Sequence, residues 1–150
     1  MPAARQLQFL EKLEAEKAEA QAVILAKARQ AVVAAQTQLE QLRRYENGYN
    51  DQLLVKLENA ITIDALRGHH KFMGNIAQAI RAQELEVARR RANADAVHRI
   101  WQQVEQRRQA FRLMAEKAER EERRLDDRRE QKTSDEFASR RLLQSHLGRL

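Results

Sequence analysis

After Pro2 the chain holds no further proline in its 150 residues. Nothing downstream carries the ring that removes a backbone donor and clashes with the preceding helical turn. Long helices are therefore permitted almost everywhere. There are only four glycines, Gly48, Gly68, Gly74 and Gly148, and the stretches between them are rich in Ala, Leu, Glu, Gln, Lys and Arg, the strongest helix formers. A sheet protein would need turn residues at every strand end, and this chain lacks them. The punctuation reads as two helical arms joined by a middle segment, an all-α fold.

The seam of each arm follows a heptad rhythm, the spacing that lets two helices keep one face toward each other. In the first arm Ile24, Ala28, Ala31, Ala35, Gln38, Leu42, Tyr45 and Tyr49 step by alternating fours and threes, and Leu25, Val32 and Leu39 widen the stripe. The small Ala28, Ala31, Ala34 and Ala35 admit a closely approaching partner helix while each buries little apolar area. Upstream, Leu7, Leu10 and Leu13 form a short apolar start before the face turns polar at Lys17.

In the second arm the same spacing runs without a phase slip from Ile76 through Ile80, Gln83, Val87, Arg90, Ala94, Val97, Trp101, Val104, Arg108, Phe111, Ala115, Ala118 and Glu122 to Leu125, Arg129 and Lys132. Such persistence predicts one continuous helix. Beyond Leu125 the seam is nearly all charged, so the far end frays or waits for a partner. Low apolar content at both ends predicts incomplete order there.

Between the arms, Asn59, Thr62, Asp64, Gly68, Gly74 and Asn75 concentrate helix-ending and helix-starting types, and a reversal is expected over about 59–75. With Thr62 or Asp64 capping the second helix, the arms fold into an antiparallel coiled-coil hairpin. The expected layout is a single coiled-coil domain over 1–150, with a first helix at about 3–58 and a second at about 76–145. The longer second arm would overhang, or pair with the start of the first. Parallel homodimerisation through either seam is the structural alternative.

Charge is plentiful but mixed. The balance is 28 Lys plus Arg against 22 Asp plus Glu, net +6. Glu116, Glu119, Glu121, Glu122, Asp126 and Asp127 alternate with Arg120, Arg123, Arg124, Arg128 and Arg129, which reads as a solvated, ion-paired helix face rather than the same-sign stripe of a phosphate binder. No cysteine is present, so disulfides and thiolate metal sites are excluded. After Arg5, Glu11, Glu14 and Glu16 interrupt the apolar run a secretory signal would need. Apolar stretches such as Ala22 to Ala26 fall far short of the roughly 18 residues of a membrane span. The expectation is a soluble protein.

Chemistry-bearing constellations are scarce. His69 and His70 are adjacent, about 100° apart on a helix, and do not chelate one ion from one face. Asp95 and His98 have a three-residue spacing, but no Glu-x-x-His pair accompanies them, as a di-metal bundle requires. Phosphate-cradling, zinc-protease and nucleophile-elbow motifs are absent from the sequence. A two-helix hairpin also encloses no pocket in which water could be excluded. The reading is a protein that is not an enzyme and needs no cofactor or metal.

Tyr45 and Tyr49 are the only tyrosines, four residues apart on the seam near the reversal. Either they pack in the hairpin core or they form an exposed aromatic anchor for a partner protein. Phe72 and Ile76 would lie near them across the hairpin.

The Tyr45-x-x-x-Tyr49 pair after Gln38 and Leu42, then Phe72 and Ile76 leading into Ala79-Ile80, then the lone Trp101 and the tail from Glu130 to Ala138, resemble the flagellar FliJ family of the type III export apparatus. The resemblance covers essentially the whole chain. It implies an antiparallel coiled coil similar to the central stalk of rotary ATPases. Its implied partners are the hexameric export ATPase, whose ring it enters with its paired ends and whose assembly it promotes, the cytoplasmic domain of the export gate, and the chaperones of late export substrates. Its implied location is the cytoplasmic side of the membrane at the flagellar base, reaching the membrane only through the apparatus. Carried over position by position, the gate-binding residues would be Gln38, Leu42, Tyr45, Tyr49, Phe72, Ile76 and Ala79, and the ATPase-ring contacts Arg124, Arg128, Lys132, Asp135 and Glu136. Ile76 and Ser134 stand where the family pattern has leucine.

Two other readings remain open at this stage. The homologous stalk protein of a virulence secretion system would share the hairpin and the ATPase partner. From a different class, a basic coiled coil could bind nucleic acid or anionic membrane through Arg81, Arg89, Arg90, Arg91, Arg99, Arg107, Arg108 and Arg112, although Arg90 and Arg108 fall on the seam and others face opposite sides.

Overall fold

The computed structural model describes residues 2–148, so positions 1, 149 and 150 of the expected 1–150 span lie outside it. Helix α1 covers Pro2–Glu58 and α2 covers Ile63–Leu147, and the two pack against each other as an antiparallel helical hairpin. No strand occurs among the described residues, and no helix among them is long and apolar enough to cross a membrane.

The reversal is far tighter than the expected 59–75. It occupies only the residues between Glu58 and Ile63. At the end of α1 the Asn59 N–H donates to the Lys56 carbonyl at 3.2 Å, and Ala60 takes the left-handed conformation with φ of 60°. That backbone geometry closes a helix whichever residue adopts it, though glycine does so at least cost. Thr62 then caps α2: its Oγ1 accepts from the Ala65 N–H at 3.1 Å, and its carbonyl receives the Leu66 N–H at 3.0 Å. Of the two candidate caps, Thr62 is the one used, while Asp64 sits in the first turn. The second helix therefore begins at Ile63 rather than near 76. Gly68 and Gly74, expected to break the chain, are helical, and a Cβ added at either would meet nothing within 4 Å. A single helical glycine costs only about 1 kcal/mol relative to alanine, too little to end a helix whose neighbours pack.

The chain divides into two compact units. One is Glu19–Gln102, and the other joins the residues up to Ala18 with those from Gln103 onward.

Within Glu19–Gln102, buried Ala35, Leu39, Ile76, Ile80 and Val87 form the hydrophobic cluster, with Leu42, Tyr49 and Met73 packed against it. Along α1 the covered positions are Gln21, Leu25, Ala28, Ala31, Val32, Ala35, Gln36, Leu39, Leu42, Glu46, Tyr49 and Leu53. Three of the expected first-arm seam positions are thereby corrected. Ala28, Ala31, Ala35, Leu42 and Tyr49 are covered, but the rest of the seam is Leu25, Val32, Leu39 and Glu46, not Ile24, Gln38 and Tyr45. The two columns are adjacent on the helix, and leucine and valine at three of the four positions bury more apolar area than the alternative set does. Along α2 the expected seam is covered from Ile76 to Trp101, with the exception of Arg90. Arg90 turns outward to pair with Glu86 at 2.8 Å.

The other unit has a much leaner seam. Ala4, Glu14 and Ala18 on α1 and Val104 and Ala115 on α2 are its buried residues. Of the expected apolar start only Leu7 is covered: Leu10 and Leu13 are exposed, and the covered positions are Ala4, Leu7, Glu11, Glu14, Ala15 and Ala18. Glu14 Oε2 is buried without a hydrogen-bond partner, while Oε1 lies 3.4 Å from Lys17 Nζ. The Ala4 N–H meets Glu122 Oε1 at 3.5 Å, and Gln8 Nε2 donates to Glu119 Oε1. These are the last links to α1. Every described residue of α2 from 123 onward is exposed, so within this unit the tail of the longer helix overhangs its partner.

Candidate functional site

Two polar pairs on one edge of Glu19–Gln102 define how its helices face each other. Arg43 Nη2 lies 3.5 Å from Glu84 Oε1, and Arg29 Nη2 donates to His98 Nδ1 at 3.4 Å. In an antiparallel pair that register sets the opposite edge as well, bringing Gln38 toward Ala79 and Tyr45 toward Phe72. Gln83 fixes the same register from the seam, donating through Nε2 to the Ala35 carbonyl at 2.9 Å and to Gln38 Oε1 at 3.1 Å.

The seven residues expected to bind the export gate thus gather on one flank, at two depths. Leu42, Tyr49 and Ile76 belong to the packed layer. Gln38, Tyr45, Phe72 and Ala79 lie above it and are exposed. The tyrosine alternatives resolve residue by residue. Tyr49 is the core member: its ring centroid sits 4.4 Å from that of Phe72 and 5.6 Å from that of His69. Tyr45 is 66% exposed and lines a shallow groove with Arg44, Gly48, Tyr49 and Gln52.

His69 was singled out in the sequence only as half of an adjacent pair, and it proves to be the neighbour that completes this aromatic cluster. It is buried, and its Nε2 has no hydrogen-bond partner among the described residues, whereas His70 is exposed. The signal that could have found it is its place in the heptad, one step before Met73 and Ile76, in a helix that was expected to start later. Trp101, the other aromatic landmark, stacks on His98 with ring centroids 5.9 Å apart.

The five residues expected to meet the ATPase ring are all on the overhanging part of α2 and all exposed. Arg128, Lys132, Asp135 and Glu136 share one face, where they line a shallow groove with Gln131, Ser139 and Arg140. Arg124 lies one turn earlier. The groove mixes both signs of charge, and Gln131 Nε2 donates to Asp135 Oδ1 at 3.2 Å. Such a face makes many shallow polar contacts and holds no apolar anchor.

The arginines proposed for phosphate binding are largely engaged within α2. Arg89 and Arg90 share Glu86, at 3.7 and 2.8 Å, Arg108 pairs with Glu105 at 3.2 Å, and Arg112 with Glu116 at 3.6 Å. Among the described residues no group of three or more His, Cys, Asp or Glu side chains comes together as a metal site would require.

Comparison with known proteins finds relatives along nearly the whole chain. The family profile described as flagellar FliJ protein matches residues 3–146. The flagellar FliJ protein of Salmonella typhi is 25% identical over 134 residues, a match covering 89% of this chain and 91% of that protein. No solved structure matches the chain. With the match running through both helices, the tight reversal and the exposed tail, the chain belongs to the flagellar FliJ family.

Proposed function

We propose that this protein is a non-catalytic component of flagellar protein export that works in the cytoplasm at the flagellar base. It binds the hexameric export ATPase ring through the overhanging end of α2 and the cytoplasmic domain of the export gate through the flank around Tyr45 and Phe72. It also escorts the chaperones of late substrates. Family membership supports the setting. The observation that carries the gate-binding reading is the exposure of Tyr45 and Phe72 directly above a packed Tyr49. Large aromatic surface held in water by a rigid underlayer makes an anchor for a specific partner, because little conformational freedom is lost on contact.

The physical logic of the tail differs. Mixed-sign, fully exposed side chains from Arg124 to Glu136 make individually weak contacts, which suits a helix that enters a ring and is not locked into one rotational position.

The test is a pull-down of the purified protein against the export ATPase and the gate's cytoplasmic domain, with the ATPase rate followed alongside. Binding to both with stimulated hydrolysis is expected. Absence of binding to either at low salt would sink the reading.

A further inference from the structure

About a third of this chain is charged, yet one flank of Glu19–Gln102 is sparsely charged. On the side of the seam that holds Tyr45 and Phe72, the outward positions of α1 from Ile24 to Val55 carry one charge, Lys27, and those of α2 from Ala65 to Ile100 carry two, Glu86 and Arg89. The last two lie 3.7 Å apart, Arg90 turns outward from the seam to join them at 2.8 Å from Glu86, and Arg44 borders the groove beside Tyr45. The opposite flank is equally open to water and carries Arg29, Glu40, Arg43, Glu84, Arg91 and Asp95. The contrast therefore does not come from burial. Large apolar side chains stand in water at both ends of the sparsely charged side: Tyr45 and Phe72 toward the reversal, and Ile24 and Ile100, 46% and 47% exposed, at the far end.

We propose that this flank is one continuous docking strip, reaching about four turns past Gln38 to Ile24 and Ile100, and that its occupant is an α-helix of the export gate's cytoplasmic domain with an aliphatic, uncharged contact stripe. The inference rests on the gate-binding reading and deepens it, assigning the kind of element bound and a larger footprint. A groove between two packed helices runs along their axes, and a third helix seats in it at the usual interaxial distance. The charge pattern selects the occupant: away from Lys27, Arg44 and the arginines around Glu86, a charged group laid against this flank would lose its water with no counter-charge to meet it. The dimensions agree, since about 28 residues of helix give a strip ~40 Å long and ~20 Å wide, about the 800 Å² that each partner contributes to a stable specific interface.

The experiment measures binding of the full-length protein to the purified gate cytoplasmic domain for wild type, Ile24→Glu, Ile100→Glu, Tyr45→Ala and the opposite-flank variant Glu40→Lys, whose site is exposed. Helix content is checked by circular dichroism and the mass of the free protein by sedimentation. Both isoleucines are already half in water, so folding is expected to survive. The expected result is a loss of about tenfold or more for Ile24→Glu and for Ile100→Glu, with Glu40→Lys unchanged and wild-type affinity moving less than about threefold between low and high salt. If Tyr45→Ala weakens binding while both isoleucine variants bind normally, the extended strip is wrong and the gate-binding reading stands. If wild type does not bind the domain at all, that reading falls and takes the strip with it. A dimer of the free protein that Ile100→Glu dissociates would overturn the proposal in favour of a second copy as the occupant.

Discussion

Tyr45 and Tyr49 occupy neighbouring turns of α1 and do opposite jobs, and the difference is measurable. Tyr49→Ala removes the ring packed at a tilt against Phe72 and His69 and should lower stability by about 1–3 kcal/mol in urea unfolding. Tyr45→Ala removes a side chain that is mostly in water and should change stability by less than about 0.5 kcal/mol. Tyr45→Ala is therefore the cleaner probe of gate binding, since any loss it causes is a loss of contact and not of fold. Ala60 offers a second residue-scale test. Its left-handed backbone is strained for any residue with a Cβ, so Ala60→Gly should raise the unfolding free energy by about 1 kcal/mol, read as a higher urea midpoint at unchanged slope.

At the scale of the element, α2 is long because its start is capped and nothing inside it is costly enough to stop it. Thr62→Ala removes the oxygen that receives the Ala65 N–H and should cost about 1 kcal/mol, with fraying confined to the first turn in amide exchange. Gly74→Ala should act in the other direction. The site is helical with open space around it, so the substitution should stabilise by about 0.5–1 kcal/mol, seen as a raised melting temperature. The sequence pointed to these same residues as punctuation, and only Thr62 serves as such. Glycine count marks where a helix is weakened. Whether it ends there depends on how much packing the next turns gain, and Met73, Ile76 and Ile80 gain enough.

At the scale of the molecule, the apolar core is confined to Glu19–Gln102, where the leucine, isoleucine and valine side chains meet. The unit that includes the start of α1 relies on alanines and one valine, with Glu14 lacking a partner for Oε2. Hydrogen exchange should therefore be faster for residues 3–18 than for 25–49, although both are helical, because local opening exposes little apolar area in the first stretch. Equal protection of the two stretches would contradict this distribution of stability. The overhanging residues of α2 should exchange faster still and be the first cut by trypsin, since they are all exposed and lack the packed face that supplies most of a helix's stability in a protein. The export ATPase, if it binds there, should protect them.

Read from residues alone, the chain already declares two helices, a reversal between them and the heptad face of α2, because proline absence, helix propensity and a three-four rhythm are local properties written in order along the sequence. The flank residues Gln38, Tyr45, Phe72 and Ala79 were nameable too, through resemblance. What local pattern could not decide was which of two adjacent columns of α1 meets α2. Ile24, Ala31, Gln38 and Tyr45 fit the rhythm as well as Leu25, Val32, Leu39 and Glu46 do. Choosing between them is a matter of total buried area and of the register held by Gln83 and by the Arg43–Glu84 and Arg29–His98 pairs, which exist only once both helices are in place. The same choice put Tyr45 in water and Tyr49 in the core, and left a sparsely charged flank facing outward.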